Sequence, residues 1–288
     1  MDYLEAAKSV QKMYMPLYKF SDWVIDPDLW KTFDFDKTIV YYNKESDLSD
    51  VQLLVKEREP CNIGMNRFYS HKLLKKTFGY QYGAYQKSTV NKLMPNIAIY
   101  CKATVSLPSG YKKAHVINLI GYAFDTKKQP DSIYFQNRDL SLLVDKYHDM
   151  WKKAYVCACD LKEKGEINKI KIYNVGGVSF AGKYGAIFHE KIFEPAFLPL
   201  LPLFEKEGIN VLGYNLDTKD FDGGHIPNIL DEDVDMEHTL YVNAWDPWSL
   251  IGNGNNGDGS LDGYWGGCSN MAVLGWSLTN PLINYRAV

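Results

Sequence analysis

Ala114–Phe124 reads AHVINLIGYAF, and this run sets the fold class. Its unbroken apolar character is that of a strand buried on both faces. Downstream, Leu140, Leu143, Tyr147, Met150, Trp151 and Ala154 recur at intervals of three and four residues, which is one face of a helix. Lys169–Val175 (KIKIYNV) then reads as a strand and Gly176–Gly185 as a glycine-rich loop. Ala186–Phe204 has helical texture but is interrupted by Pro195, Pro199 and Pro202. Ile209–Tyr214 (INVLGY) and Thr239–Asn243 (TLYVN) are further strands, and Asn96–Ser106 (NIAIYCKATVS) is one upstream. Strands alternating with helices predict an α/β fold with at least partly parallel strands and flanking helices.

The texture changes near residue 90. The first part is irregular, with a short helix expected over Leu4–Met15, strands over Lys37–Tyr42 and Val51–Val55, and an aromatic, glycine-containing loop over Phe78–Tyr85. The expected organisation is an N-terminal extension, residues 1–90, packed on a core domain, residues 91–288.

Composition narrows the functional classes. The chain has 288 residues, 46% hydrophobic and 23% charged, an ordinary globular balance. A net charge of −3 argues against a nucleic-acid binder that works by bulk charge. The longest apolar stretch, around Ala196–Phe204, is short and carries Pro199 and Pro202, so no membrane partner is expected. The sequence opens Met-Asp-Tyr-Leu-Glu, which is too acidic for a signal peptide. Five cysteines are an odd number, and only Cys157 and Cys159 are close in sequence. With no N-x-S/T sequon, this points to a reducing intracellular compartment, cytoplasmic or nuclear.

Two loops carry the candidate chemistry. Asn174–Tyr184 (NVGGVSFAGKY) leaves a strand and enters a helix. Gly176, Gly177 and Gly182 would let backbone N–H groups approach a ligand closely, and a helix N-terminus beyond them favours an anion. The loop therefore reads either as a diphosphate cradle, with Val178, Ser179, Phe180 and Ala181 contributing, or as a plain strand-to-helix turn. It is not a Walker loop, because Tyr184 stands where Ser or Thr would be needed.

The second loop, Val242–Gly267 (VNAWDPWSLIGNGNNGDGSLDGYWGG), is crowded with Gly, Asn and Asp. That composition suits either a chain wrapped round a polar ligand or a surface loop. Asp246 and Asp262 would converge across it. A calcium hand is excluded, since a count from Asn253 puts Tyr264 where the bidentate Glu belongs. The histidines form no H-x-x-x-H pair and Ser179 lacks a G-x-S-x-G context, so neither zinc catalysis nor a serine nucleophile is expected. The acidic segment Asp217–Glu237 reads as a solvated loop. No cofactor and no metal are expected, with a non-EF metal site on Asp246, Asp258 and Asp262 as the weaker alternative.

Together the two loops resemble those of macro domains, an α/β family that binds ADP-ribose. Asn243-Ala244-Trp245-Asp246 ends a strand and is followed by Gly252-Asn253-Gly254, similar to the family's N-A-A-N strand and glycine loop. Val175–Gly185 is similar to its diphosphate loop, and Ala114–Phe124 to its V-I-H-x-V-G strand. The N-A-A-N-like strand comes last here, whereas the family has it first, so the resemblance implies a circular permutation. N-A-W-D-P-W-S with G-N-G and S-L-D-G is similar to the divergent group called insectoid macro domains, over about residues 90–288.

The resemblance implies a macro-like mixed sheet and hydrolysis of protein-linked ADP-ribose, ubiquitin-linked forms included. It implies catalysis by Asp246 or Asp262, with Asp258 as a further candidate. Ligand contacts would come from Asn243, Asn253, Gly254, Gly263 and the Gly176–Gly182 loop. The alternative is a module with the same pocket that binds ADP-ribose or a related nucleotide without turnover.

Overall fold

The computed structural model describes residues 34–49, 51, 96–107, 110–119, 121–127, 130–221, 235–244 and 284–288. The expected helix over Leu4–Met15 and the loop over Phe78–Tyr85 lie outside them. Nine strands are described: β1 (Asp34–Tyr42), β2 (Ile97–Leu107), β3 (Gly110–Leu119), β4 (Lys169–Lys171), β5 (Asn210–Leu212), β6 (Tyr214–Asn215), β7 (Asp220–Phe221), β8 (Thr239–Ala244) and β9 (Asn284–Ala287). Seven form one mixed sheet in the order β5-β4-β8-β3-β2-β1-β9. Pairing is parallel throughout except at β2, which runs antiparallel to both β1 and β3. The protein is thus mixed α/β with flanking helices. Its first ninety residues supply β1, an internal strand between β2 and β9.

Between β3 and β4 the chain crosses over through two helices, α1 (Pro130–Tyr134) and α2 (Leu140–Glu163), and β8 fills the gap between the two strands. The ends of α2 follow from local chemistry. Asp139 caps its start in extended backbone, with its carboxylate accepting the Ser141 N–H at 2.8 Å. Such a cap contributes about 1 kcal/mol. Gly165, at φ +71°, ends the helix: its N–H reaches the Lys162 carbonyl, and the Glu166 N–H reaches the Leu161 carbonyl. These are the two bonds of a glycine-terminated Schellman turn.

The expected helix face is the buried one. Leu143, Tyr147, Met150, Trp151 and Ala154 are all buried. The Trp151 ring packs edge-on against Phe193 and Phe197, at 5.8 and 4.9 Å between centroids. Burial of rings of this size stabilises the fold by about 2–3 kcal/mol each. Cys157 is buried on α2 and Cys159 half-buried, consistent with helix packing.

The prolines segment the last helical region. A π-turn (His189–Phe193) leads into α3 (Glu194–Phe197), a 3-10 turn (Leu198–Leu200) and α4 (Leu201–Lys206). Pro195, Pro199 and Pro202 each occupy one of the first two positions of a new segment, where an absent N–H removes no internal bond.

Four local expectations are corrected. The strand read over Ala114–Phe124 ends at Leu119, because beyond it the Tyr122 N–H turns to the Tyr147 hydroxyl. The strand read over Lys169–Val175 pairs only through Lys171. Gly213, at φ +90°, divides Ile209–Tyr214 into β5 and β6, and β6 joins β7 in a separate ribbon. A Cβ on Gly213 would lie 2.2 Å from the Ile172 carbonyl oxygen, so only glycine fits that approach. Finally, of the strand read over Val51–Val55 only Val51 lies among the described residues, and it is helical: its N–H bonds to the Asp47 carbonyl at 3.0 Å, and the Asp47 carboxylate accepts the Ser49 N–H at 2.7 Å. A capping carboxylate outweighs the strand preference of a β-branched residue there.

Candidate functional site

In parallel sheets, ligands bind beyond the carboxyl ends of the strands. Three chain segments meet at that edge here: Gly121–Phe124 after β3, Ile172–Val178 after β4, and the exit of β8 at Asn243 and Ala244. β8 lies between β3 and β4, with Asn118 opposite Asn243 and Lys171 opposite Tyr241. The glycine loop and Asn243 therefore leave the sheet side by side.

Strand alternation puts Asn243 on the face away from α2. Tyr41 donates its hydroxyl to Asp160 of α2 at 3.0 Å, so Tyr41 faces the helix and Val40 faces away. The register then runs Val40, Ile99, Asn118, Asn243 as one row across β1, β2, β3 and β8. All four are buried. Within this row the Asn243 amide NH2 donates to the Asn118 side-chain oxygen at 2.8 Å, and the Asn118 NH2 donates to the Ile99 carbonyl at 3.1 Å. The relay ends at the Asn243 Oδ1, which is buried and has no hydrogen-bond partner among the described residues. An orphan acceptor at full burial costs about 1–3 kcal/mol, and in a site it is a group held ready for a donor.

The Asn174–Gly182 loop is clamped by the segment after β3. The Phe124 N–H donates to the Phe180 carbonyl at 2.7 Å. A Cβ on Gly121 would lie 3.2 Å from Gly176 Cα, so the two backbones run in contact. Gly176 has φ +80°, and a Cβ there would meet the Tyr147 hydroxyl at 2.5 Å. Gly182 has φ +49°, and a Cβ there would meet the Phe124 carbonyl oxygen at 1.9 Å. At Gly177 the Asn174 side chain already fills the Cβ position, 1.8 Å away. Each glycine thus has a packing reason within the protein's own chain.

Loop and helix are divided differently from the expectation. The turn ends at Val178, which is 48% exposed, and Ser179–Ile187 form 3-10 turns kinked at Gly182. Ser179, Phe180, Ala181 and Gly182 lie in that element, and Ala181 is buried. The cause is Gly182, whose dihedrals interrupt any regular helix at that point. An anion at this loop would therefore be held by local amides more than by the dipole of a long helix.

Asp246, Asp258, Asp262, Asn253, Gly254 and Gly263 lie outside the described residues. Among the described residues no group of three or more His, Cys, Asp or Glu side chains is placed to hold a metal ion, and no helix is long and apolar enough to cross a membrane. Of the acidic segment, Asp235 bonds Lys169 at 2.5 Å and His238 at 2.9 Å, and both hold its carboxyl below the usual range.

Sequence reasoning passed over Asn118 and the Tyr147 hydroxyl. Asn118 had a signal: it is the one amide side chain inside the apolar run of Ala114–Phe124. Tyr147 was legible as core, but its contacts to residues 122 and 176 are not. Burial raises the Tyr147 phenol well above its ordinary pKa, so the hydroxyl keeps its proton. No protein-family model matches the chain, and no curated protein matches it either.

Proposed function

We propose that the chain binds ADP-ribose at the carboxyl edge of its sheet and hydrolyses ADP-ribose linked to protein, as a circularly permuted macro domain of the insectoid type. One observation carries the reading: the Asn243 oxygen at the exit of β8, buried and without a partner among the described residues, stands beside the glycine loop that follows β4. In this reading the backbone amides of Gly176–Gly182 hold the diphosphate, and Asn243 and Asn253 bond the ribose near the scissile bond. Asp246 or Asp262, with Asp258 as a further candidate, orients or deprotonates the attacking water. Cleavage at an anomeric carbon builds positive charge on the sugar, and a nearby carboxylate stabilises it. Gly254 and Gly263 shape the loop that wraps the sugar. The substrates are ADP-ribosylated proteins, ubiquitin-linked forms included, in a reducing cytoplasmic or nuclear compartment.

A second reading is a module that binds without turnover. It is favoured by the composition of Asn174–Gly182 and Asn243, which offers hydrogen-bonding groups and no carboxylate. Calorimetric titration with ADP-ribose, with ADP and ribose 5-phosphate as controls, tests both readings. Selective micromolar binding, roughly −8 kcal/mol, is expected; no binding to any of the three removes both. Asp246→Ala and Asp262→Ala then separate them. An enzyme loses turnover on ADP-ribosylated protein while keeping most of its affinity, whereas parental cleavage rates in both variants would overturn the catalytic assignment.

A further inference from the structure

Among the described residues the sheet ends at β5, opposite the other edge strand, β9. In the β4–β5 pair the Asn210 N–H donates to the Asn168 carbonyl at 3.0 Å, and the Leu212 carbonyl accepts from Ile172 at 2.9 Å. Parallel ladders alternate, so the N–H and C=O of Val211, between these two residues, turn away from β4. Among the described residues no strand lies beyond β5. An edge with an outward N–H and C=O is a template for another extended chain.

A groove of about 570 Å³ runs beside this edge. Leu201 and Pro202 of α4 line it together with Val211, Tyr214 and Leu216. Leu216 is 59% exposed. The one charged lining residue is Glu205, which makes no ion pair among the described residues. A second Schellman turn joins α4 to β5 at the groove: the Gly208 N–H, at φ +65°, donates to the Glu205 carbonyl, and the Ile209 N–H donates to the Phe204 carbonyl.

We propose that β5 takes an extended segment of a partner protein as an added strand, with apolar side chains in the groove and a basic side chain on Glu205. Three observations converge on that occupant. The outward N–H and C=O of Val211 match the ladder of an added strand. The groove is apolar and lies along the strand, where alternate side chains of an added strand project. Its single carboxylate calls for a cation. The strand that β5 already pairs with on its other side, Lys169-Ile170-Lys171, has this alternation of basic and apolar residues. The site is separate from the Asn243 edge and does not depend on ADP-ribose.

The test uses the full chain and a fluorescein-labelled peptide with the sequence of residues 168–174, Asn-Lys-Ile-Lys-Ile-Tyr-Asn, read by anisotropy. Saturation below about 1 mM is expected. A peptide with Glu in place of both Lys should bind at least tenfold more weakly. Val211→Pro, which removes the outward N–H, should weaken binding by the same factor, as should Glu205→Lys and Leu216→Asp. Circular dichroism checks the fold of each variant. If Val211→Pro unfolds the chain, the other two decide, since both change exposed side chains. The proposal is overturned if the parental chain does not saturate, if the Glu peptide binds equally, or if Glu205→Lys and Leu216→Asp bind like the parent. A concentration-dependent dimer abolished by Glu205→Lys or Leu216→Asp would assign the edge to a second copy of the chain and also overturn it.

Discussion

The hydroxyl of Tyr147 stands 2.5 Å from the point a Cβ on Gly176 would occupy, and the same oxygen accepts the Tyr122 N–H at 3.2 Å. One side chain of α2 therefore sets the spacing between the loop after β3 and the loop after β4. Phe188 packs edge-on against the same ring at 5.2 Å, which fixes it from the other side.

Gly176→Ala should cost about 2–4 kcal/mol, combining a left-handed backbone with an overpacked contact. Gly182→Ala should cost more, because its obstacle is the Phe124 carbonyl, which cannot rotate away. Gly208→Ala should cost only about 1–2 kcal/mol, since its φ is +65° but nothing lies within 4 Å. Urea unfolding of the three variants gives the order directly, and equal losses would contradict this account of the loop. Tyr147→Phe should partly rescue Gly176→Ala and leave Gly182→Ala unimproved.

Asn118→Ala should destabilise the protein by about 1–3 kcal/mol, because it strips the Asn243 NH2 of its acceptor at full burial. Asn243→Val should cost less, since it gives up the bond to Asn118 but also removes a buried oxygen that has no partner among the described residues. The ranking reverses in calorimetry with ADP-ribose, where Asn243→Val should lose affinity by at least tenfold. If both variants match the parent in urea, the amide relay contributes nothing.

Lys153 gives the fold a pH dependence. Its side chain is fully buried and its amine donates to the Asp149 carbonyl at 2.8 Å. Burial pushes its pKa down to about 7, with Asp149 and Glu45 opposing the shift and Lys146 and Lys152 adding to it. The folded pKa lies below the unfolded one. Between pH 7 and about 10.4 the unfolded chain thus holds a proton that the folded chain has released. Stability should rise with pH across that window, by up to about 1.4 kcal/mol per unit. Lys153→Met should flatten the rise and stabilise the protein at pH 6.5; an unchanged slope in urea titrations would refute the assignment.

Asp160→Ala should cost about 1–3 kcal/mol. It removes the acceptor of the buried Tyr41 hydroxyl and the 2.7 Å partner of Arg286. Arg286→Ala should cost under about 1 kcal/mol, because that side chain is half-exposed and its pairing is screened. Thermal melts of the two variants at low and high salt check both values, and only the arginine contribution should fade with salt.

The parts of the fold legible in the sequence were those set by periodicity and by proline. The face of α2 through Leu143, Tyr147, Met150 and Trp151 shows as a 3.6-residue repeat, and Pro195, Pro199 and Pro202 mark the segment starts. Strand ends were less legible, since pairing stops where a partner stops: β4 ends at Lys171 although its apolar texture runs on to Val175. At the candidate site, the exit of β8 at Asn243 follows from TLYVN. The reasons for Gly176, Gly177 and Gly182 do not, because Tyr147 and Phe124 come from other elements and the Asn174 contact depends on how the turn folds.

β9 lies parallel to β1, with Val40 opposite Tyr285 and the Val288 N–H on the Tyr42 carbonyl. Residues some 245 positions apart in sequence must meet before this side of the sheet exists. Such pairing confers a high contact order, which slows folding. During synthesis β1 stays an open edge until β9 has been made, so the strand order leaves that edge exposed while the intervening chain is translated.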